Sequence, residues 1–161
     1  MNVIPYFIYL LLGAFHEVVF RDRTAIYGVT FNLPILLVLG VALYKSERAA
    51  VWFGFLVGLV AAASRPDLTG WYGLVTAVVA GLAFHIRERL NVESRASKML
   101  IVFVGTLVYN LVTAMIEGLD GFGYHLYRLL LPGTLYTVIV AWIFFMFKEG
   151  RVTTQKIKAM F

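Results

Sequence analysis

Apolar residues in this chain neither alternate nor keep to one helical stripe; they come in long, nearly unbroken runs separated by short polar punctuation. A helix needs roughly 20 mostly apolar residues to cross the hydrocarbon of a bilayer, and six runs approach that length. Their expected spans are residues 3–20, 29–44, 49–64, 68–86, 99–116 and 131–147. Charged breaks divide them: Arg21-Asp22-Arg23, Lys45-Ser46-Glu47-Arg48, Ser64-Arg65-Pro66-Asp67, the polar segment 87–98, and Glu117-Gly118-Leu119-Asp120-Gly121. A basic tail, residues 148–161, finishes the chain. The pattern predicts an all-α integral membrane protein, a single domain over 1–161 with about six transmembrane helices in one bundle.

Three runs carry local irregularities. Pro34 cannot donate a backbone hydrogen bond, and within a helix its ring would meet the carbonyl of Thr30. Either the second helix kinks there or it starts there with Asn32 near the cap, and a start is the preferred reading. Pro132 sets the same problem for Arg128, so the sixth span is expected to begin near Pro132, with residues 125–131 close to the interface. The third run is the shortest, about 22 Å of helix against a hydrocarbon core of roughly 30 Å. A re-entrant hairpin over residues 49–86 is the alternative to two full crossings.

Composition agrees with lipid as the solvent. The chain is 61% hydrophobic and 14% charged, against roughly 45–50% and about 25% in soluble domains. A soluble domain of this size has too much surface for its volume to hide so much apolar side chain. The excess of 14 basic over 9 acidic residues could point to nucleic acid, but the charges sit between apolar runs and form no basic face. They orient the protein instead. With the N-terminus inside, the inner segments hold Lys45, Arg48, Arg87, Arg89, Arg95, Lys98, Lys148, Arg151, Lys156 and Lys158, and the outer ones only Arg21, Arg23, Arg65 and Arg128. That asymmetry predicts an even number of crossings and two cytoplasmic ends. Tyr27, Trp71, Tyr72, Tyr124 and Tyr127 would form the outer aromatic belt, and Tyr44 and Trp52 the inner one. The first run lacks a basic flank and a cleavage-site pattern, so it is expected to stay as a helix. The tail, with Val152, Ile157, Met160 and Phe161 among its basic residues, either lies on the anionic inner leaflet or is a solvated end.

Candidate chemistry is sparse. Gly54, Gly58 and Ala62 fall four residues apart, as do Gly73, Ala77 and Gly81, and each set lines one helix face where backbones can approach closely. The face serves either the packing of helices three and four or the docking of another protein's membrane helix. Polar groups at membrane depth are costly, which draws attention to His16, Glu17, Asn32, Asn110 and Arg128. His16 and Glu17 form either a proton or metal site or, nearer to Arg21 and Arg23, a snorkelled salt link. Asn110 either joins two helices through its amide or contacts a ligand. Arg128 reaches the outer headgroups, pairs with Glu117 or Asp120, or meets a substrate carboxylate. No metalloprotease, nucleophile-elbow or phosphate-loop motif is present. Without cysteine, disulfides, thiolate metal sites and cysteine nucleophiles are excluded. A non-enzyme without cofactor or metal is expected.

The order of features resembles the rod shape-determining protein MreD family over nearly the whole chain. The residues that carry the likeness are Asn32-Leu33-Pro34-Ile35-Leu36-Leu37-Val38-Leu39, Gly54-Phe55-Leu56-Val57-Gly58-Leu59 with Thr69-Gly70 about a dozen residues on, and Leu131-Pro132-Gly133-Thr134-Leu135-Tyr136-Thr137 before the last apolar run. Family members often place an acidic residue where this chain has Ile35, and another where it has Ala62, so no role of those carboxylates carries over. The resemblance implies a non-catalytic scaffold subunit of the bacterial elongation machinery in the inner membrane, positioning peptidoglycan synthesis. The single-span protein MreC would be its first partner, with RodA and a class B penicillin-binding transpeptidase beside it and MreB filaments reached indirectly. The family is similar in fold to the substrate-binding subunits of energy-coupling-factor transporters. A vitamin carrier with Arg128, Asn110 and His16 in a pocket of helices one, four, five and six is therefore the alternative.

Overall fold

The computed structural model describes residues 4–20, 23–63, 65–90, 94–118, 123 and 126–148. Arg21, Ser64, Asp120, Tyr124, His125 and the tail beyond Lys148 lie outside them. Among the described residues the chain is all-helical, with six α-helices, one in each apolar run: α1 Ile4–Phe15, α2 Leu33–Tyr44, α3 Glu47–Ala61, α4 Thr69–Arg89, α5 Arg95–Ile116 and α6 Leu131–Lys148. Three helical stretches are long and apolar enough to cross a membrane: Pro66–Arg89, Arg95–Ile116 and Leu126–Phe147. Ile4–Phe20 and Leu33–Tyr44 are apolar but shorter, and α3 has 15 residues. The sequence-based spans thus run long for α2, whose 12 residues rise about 18 Å.

Helix α2 is short because Asn32 stops it. The Asn32 side chain accepts the Ile35 N–H at 3.1 Å, satisfying one of the donors that the first helical turn leaves open. Pro34 sits in that first turn, where its missing N–H costs nothing. Upstream, Tyr27 and Gly28 both have positive φ, 53° and 80°, and Ile26 and Val29 exchange backbone hydrogen bonds at 2.9 and 3.0 Å. The chain therefore enters α2 through a tight two-residue turn of the I′ kind, not through helix.

That short helix is the axis of the bundle. It is apolar on every side, the mark of a helix enclosed by others. Pro34, Ile35, Leu36, Val38, Leu39, Val41, Ala42 and Leu43 are all buried, and α2 touches α1, α3, α4, α5 and α6. At its far end Arg87 of α4 donates to the carbonyls of Ala42 at 2.9 Å and Lys45 at 2.8 Å. A guanidinium there satisfies the carbonyls that a helix end leaves open.

The tightest seam joins α3 and α4. A Cβ on Gly58 would sit 2.7 Å from the Gly73 Cα and collide with the Tyr72 carbonyl oxygen; one on Gly54 would sit 3.0 Å from the Thr76 carbonyl oxygen and 3.3 Å from the Ala77 Cα. Gly73 faces the side chains of Leu59 and Phe55 at 3.0–3.1 Å, and Gly81 has Val51 at 3.6 Å. Ala62, just past the end of α3, is buried as well. Both small-residue rows are thus filled by each other's helix. The docking alternative is corrected on this point: a further helix would have to meet another face. Large apolar side chains do cover the outside, among them Trp52 and Leu56 on α3, Trp71, Leu74, Val78 and Leu82 on α4, and Leu135, Ile139 and Trp142 on α6.

Pro132 is accommodated differently from Pro34. The α-helical part of α6 begins at Leu131, near the expected start, but a π-helical turn over Leu126–Leu130 leads straight into it. A wider turn of this type moves the carbonyl of Arg128 away from the proline ring, so the helical course runs on upstream. A second π-turn, His16–Phe20, prolongs α1.

Candidate functional site

One end of the bundle is polar. There α1, α3 and α5 finish and α2, α4 and α6 begin, and between them lies a cavity of about 300 Å³. Glu17 comes from the π-turn after α1, Asn32 from the cap of α2, Ala61 from the end of α3 and Tyr72 from the first turn of α4. Helix α5 contributes Tyr109, Asn110, Thr113, Ala114 and, at its C-cap, Glu117. The tight turn and its sequel, Gly28 to Phe31, and Leu129, Leu130 and Gly133 close the wall.

Threonine hydroxyls make this polarity compatible with burial. Thr76, Thr113, Thr134 and Thr137 each donate to the carbonyl four residues back in their own helix, at 2.6–2.9 Å. With the proton spent locally, the oxygen remains an acceptor for a neighbouring element. Asn110 uses one: its Nδ2 donates to Thr134 Oγ1 at 3.1 Å, joining α5 to α6. The backbone N–H of Asn32 uses another, donating to Thr137 Oγ1 at 3.0 Å and tying the start of α2 to α6. Interhelical bonds of this kind contribute about 0.6–2 kcal/mol in a bilayer.

Glu117 accepts a hydrogen bond from the Tyr72 hydroxyl, which ties the end of α5 to the start of α4. The Tyr72 ring meets Tyr109 edge-on with centroids 6.4 Å apart. Tyr72 is half-buried in the cavity wall, whereas Tyr27, Trp71 and Tyr127 are exposed. The pairing was missed because the belt pattern accounted for Tyr72 by itself; the available signal was that the start of α4 and the end of α5 must meet if consecutive helices are antiparallel.

The polar residues singled out from sequence divide into two groups. Asn32, Asn110 and Glu17 line the cavity. His16 and Arg128 are not among its described lining residues, which corrects the pocket expected for a carrier. Only 5% of His16 is exposed, and its ring packs on Phe31 at 4.6 Å between centroids. Successive residues on a helical turn diverge by roughly 100°, so His16 turns into the α2 entry while Glu17 turns into the cavity. Arg128 is exposed on the π-turn. Of the links expected for His16 and Glu17 with Arg21 or Arg23, and for Arg128 with Glu117 or Asp120, those to Arg21 and Asp120 lie outside the described residues. Among the described residues no three His, Asp or Glu side chains are grouped to hold a metal. No protein-family model, curated protein or solved structure matches this chain.

Proposed function

We propose that the protein is a six-crossing membrane scaffold with both ends cytoplasmic, a subunit of a bacterial cell-elongation complex of the kind the MreD resemblance implies. One observation carries the reading: the segments that bear the resemblance are those that build the bundle. The Asn32–Pro34 entry is tied to the Leu131–Thr137 segment through the Asn32 to Thr137 hydrogen bond, and the Gly54–Leu59 segment supplies the close seam with α4. Their role is architectural, which supports a protein that presents a rigid apolar exterior to lipid and partner helices. The six crossings rest on the charge asymmetry together with the three stretches that meet the spanning length.

Co-expression with a single-span MreC-type partner tests this. The tagged chain should retain that partner through mild-detergent purification, and loss of the partner from a chain that remains folded would overturn the scaffold reading. A Gly58→Leu variant, whose added side chain would meet the Tyr72 and Gly73 backbone, should fail to retain it. The cavity supports a second reading, a small-molecule carrier, since preformed pockets of roughly 300–1,000 Å³ with a few convergent polar groups are the usual form of ligand sites. Stabilisation of the purified chain by any member of a vitamin panel would favour the carrier, because a ligand well above its Kd raises stability by a few kcal/mol.

A further inference from the structure

The end of the bundle opposite the cavity is basic. Among the described residues it holds Lys45, Arg48, Arg87, Arg89, Arg95 and Lys98 against Glu47 and Glu88. At the cavity end, Arg23, Arg65 and Arg128 are balanced by Glu17, Asp67 and Glu117. Two of the basic residues border an apolar cleft. Arg95 and Lys98, three residues apart at the start of α5, share a helix face. With Met99 they form one wall of the cleft, and Trp142, Phe145 and Met146 from the last turns of α6 form the other. Phe145 is buried, whereas Trp142 is exposed. A basic rim therefore continues into an apolar groove between two helices.

The cleft encloses only about 10 Å³, far below the roughly 300–1,000 Å³ of sites that enclose a small molecule. Its occupant must lie along it. A soluble anion would engage the rim and leave Met99, Trp142 and Met146 uncovered. An alkyl chain or an apolar helix would cover them without using the rim. A phospholipid of net negative charge does both, with phosphate oxygens at Arg95 and Lys98 and one acyl chain along α6. We propose that this cleft is a binding site for an anionic phospholipid. Basic pockets between membrane helices hold such headgroups by charge, and tryptophan favours the headgroup level. Both cations make other contacts in the protein, and Lys98 lies over the Tyr44 ring, 5.7 Å from its centroid. A guanidinium has five N–H donors and an ammonium three, so a phosphate adds to those contacts without replacing them. The inference stands apart from the scaffold reading, because it needs only that the bundle lies in a bilayer.

Trp142 is itself the reporter. Trp52→Phe and Trp71→Phe, both at exposed positions, leave it alone of the three tryptophans, and a brominated acyl chain quenches an indole that it touches. The full chain is placed in phosphatidylcholine nanodiscs containing brominated phosphatidylglycerol or, in parallel, brominated phosphatidylcholine. Half-maximal quenching by phosphatidylglycerol should need a mole fraction at least about fivefold lower, the factor that one basic residue near an anionic headgroup supplies. Arg95→Gln and Lys98→Gln should each cut this preference by about threefold or more, and the double variant should abolish it. Arg89→Gln, exposed at the same end, should leave it intact, which separates the cleft from the charge of the whole surface. A chain keeping Trp52 alone, on α3 and outside the cleft, should be quenched equally by both lipids; it decides the matter if a glutamine variant fails to fold. Equal quenching of Trp142 by the two lipids, the same preference at Trp52, or a preference that survives loss of both cations overturns the proposal.

Discussion

Among the described glycines, Gly58 stands at the closest approach to a neighbouring backbone. An added methyl group would meet the backbone of Tyr72 and Gly73, and neither can rotate away as a side-chain tip can. Gly58→Ala should therefore destabilise the bundle by about 1–3 kcal/mol, the range for overpacking a well-filled interior. Gly81 belongs to the same stripe by spacing, yet its nearest neighbour would be Val51 at 3.6 Å, an ordinary contact. Gly81→Ala should be neutral or stabilising by up to about 1 kcal/mol, since glycine is the weaker helix former. Unfolding of the two variants in detergent distinguishes them, and equal losses would mean that the stripe acts as a whole. Tyr27 offers a test of the opposite sign. It holds φ at 53° with 98% of its surface exposed, so the strained conformation has no packing to offset it. Asn tolerates that region better, and Tyr27→Asn should raise stability by about 0.5–1 kcal/mol in detergent; a loss of stability would show that the ring makes contacts that offset the strain.

Helix α2 shows how an element can be specified at its two ends by different kinds of information. Its N-terminus is local: Asn32 caps the turn three residues on, and Pro34 fits because it lies in the first turn, where the N–H has no helical partner. Asn32→Ala should cost about 1 kcal/mol, the usual loss for such a cap. Its C-terminus is held from a distance by Arg87, 45 residues from Ala42 along the chain. Arg87 also stacks over Phe84, 4.9 Å from the ring centroid, so the guanidinium is oriented before it reaches α2. Hydrogen bonds from a charged donor contribute roughly 1.5–3 kcal/mol, and partial exposure puts Arg87→Met near the low end, about 1–2 kcal/mol. Arg89→Met, two residues on and exposed, should be within about 0.5 kcal/mol of the parent. Similar losses at both positions would show that Arg87 contributes only charge. The two π-turns belong to this scale as well, and the one before α6 places Leu129, Leu130 and Gly133 in the cavity wall.

At the scale of the whole molecule, six helices of unequal length must be fitted to one bilayer. The three long stretches are each long and apolar enough to cross it. The shorter α2 lies inside the bundle and touches the other five helices, while its entry turn is exposed at Ile26, Tyr27 and Gly28. The proposed six crossings with cytoplasmic ends would put Tyr27 outside and Lys45 inside. The chain contains no cysteine, which makes single-cysteine labelling straightforward. In intact cells Tyr27→Cys should react with an impermeant maleimide, and Lys45→Cys should react only after permeabilisation. Reaction of both from outside would contradict the α2 crossing.

Sequence by itself determined the six helical runs, the start of α2 at Asn32 and the small-residue rows on α3 and α4. These depend on local chemistry: uninterrupted apolar length, a side chain that caps its own turn, and spacing around one helix. It also narrowed the polar residues to a short set containing Asn110 and Glu17. Tertiary structure alone decided what each was for. Whether a glycine row packs inward or outward depends on which helix lies against it, and Gly58 and Gly73 were four-residue repeats of equal appearance until their backbones met. The cavity is still less local. Glu17, Tyr72 and Glu117 are far apart in the chain and share a wall only because alternate helix ends converge there, and neither hydropathy nor periodicity carries information about that convergence.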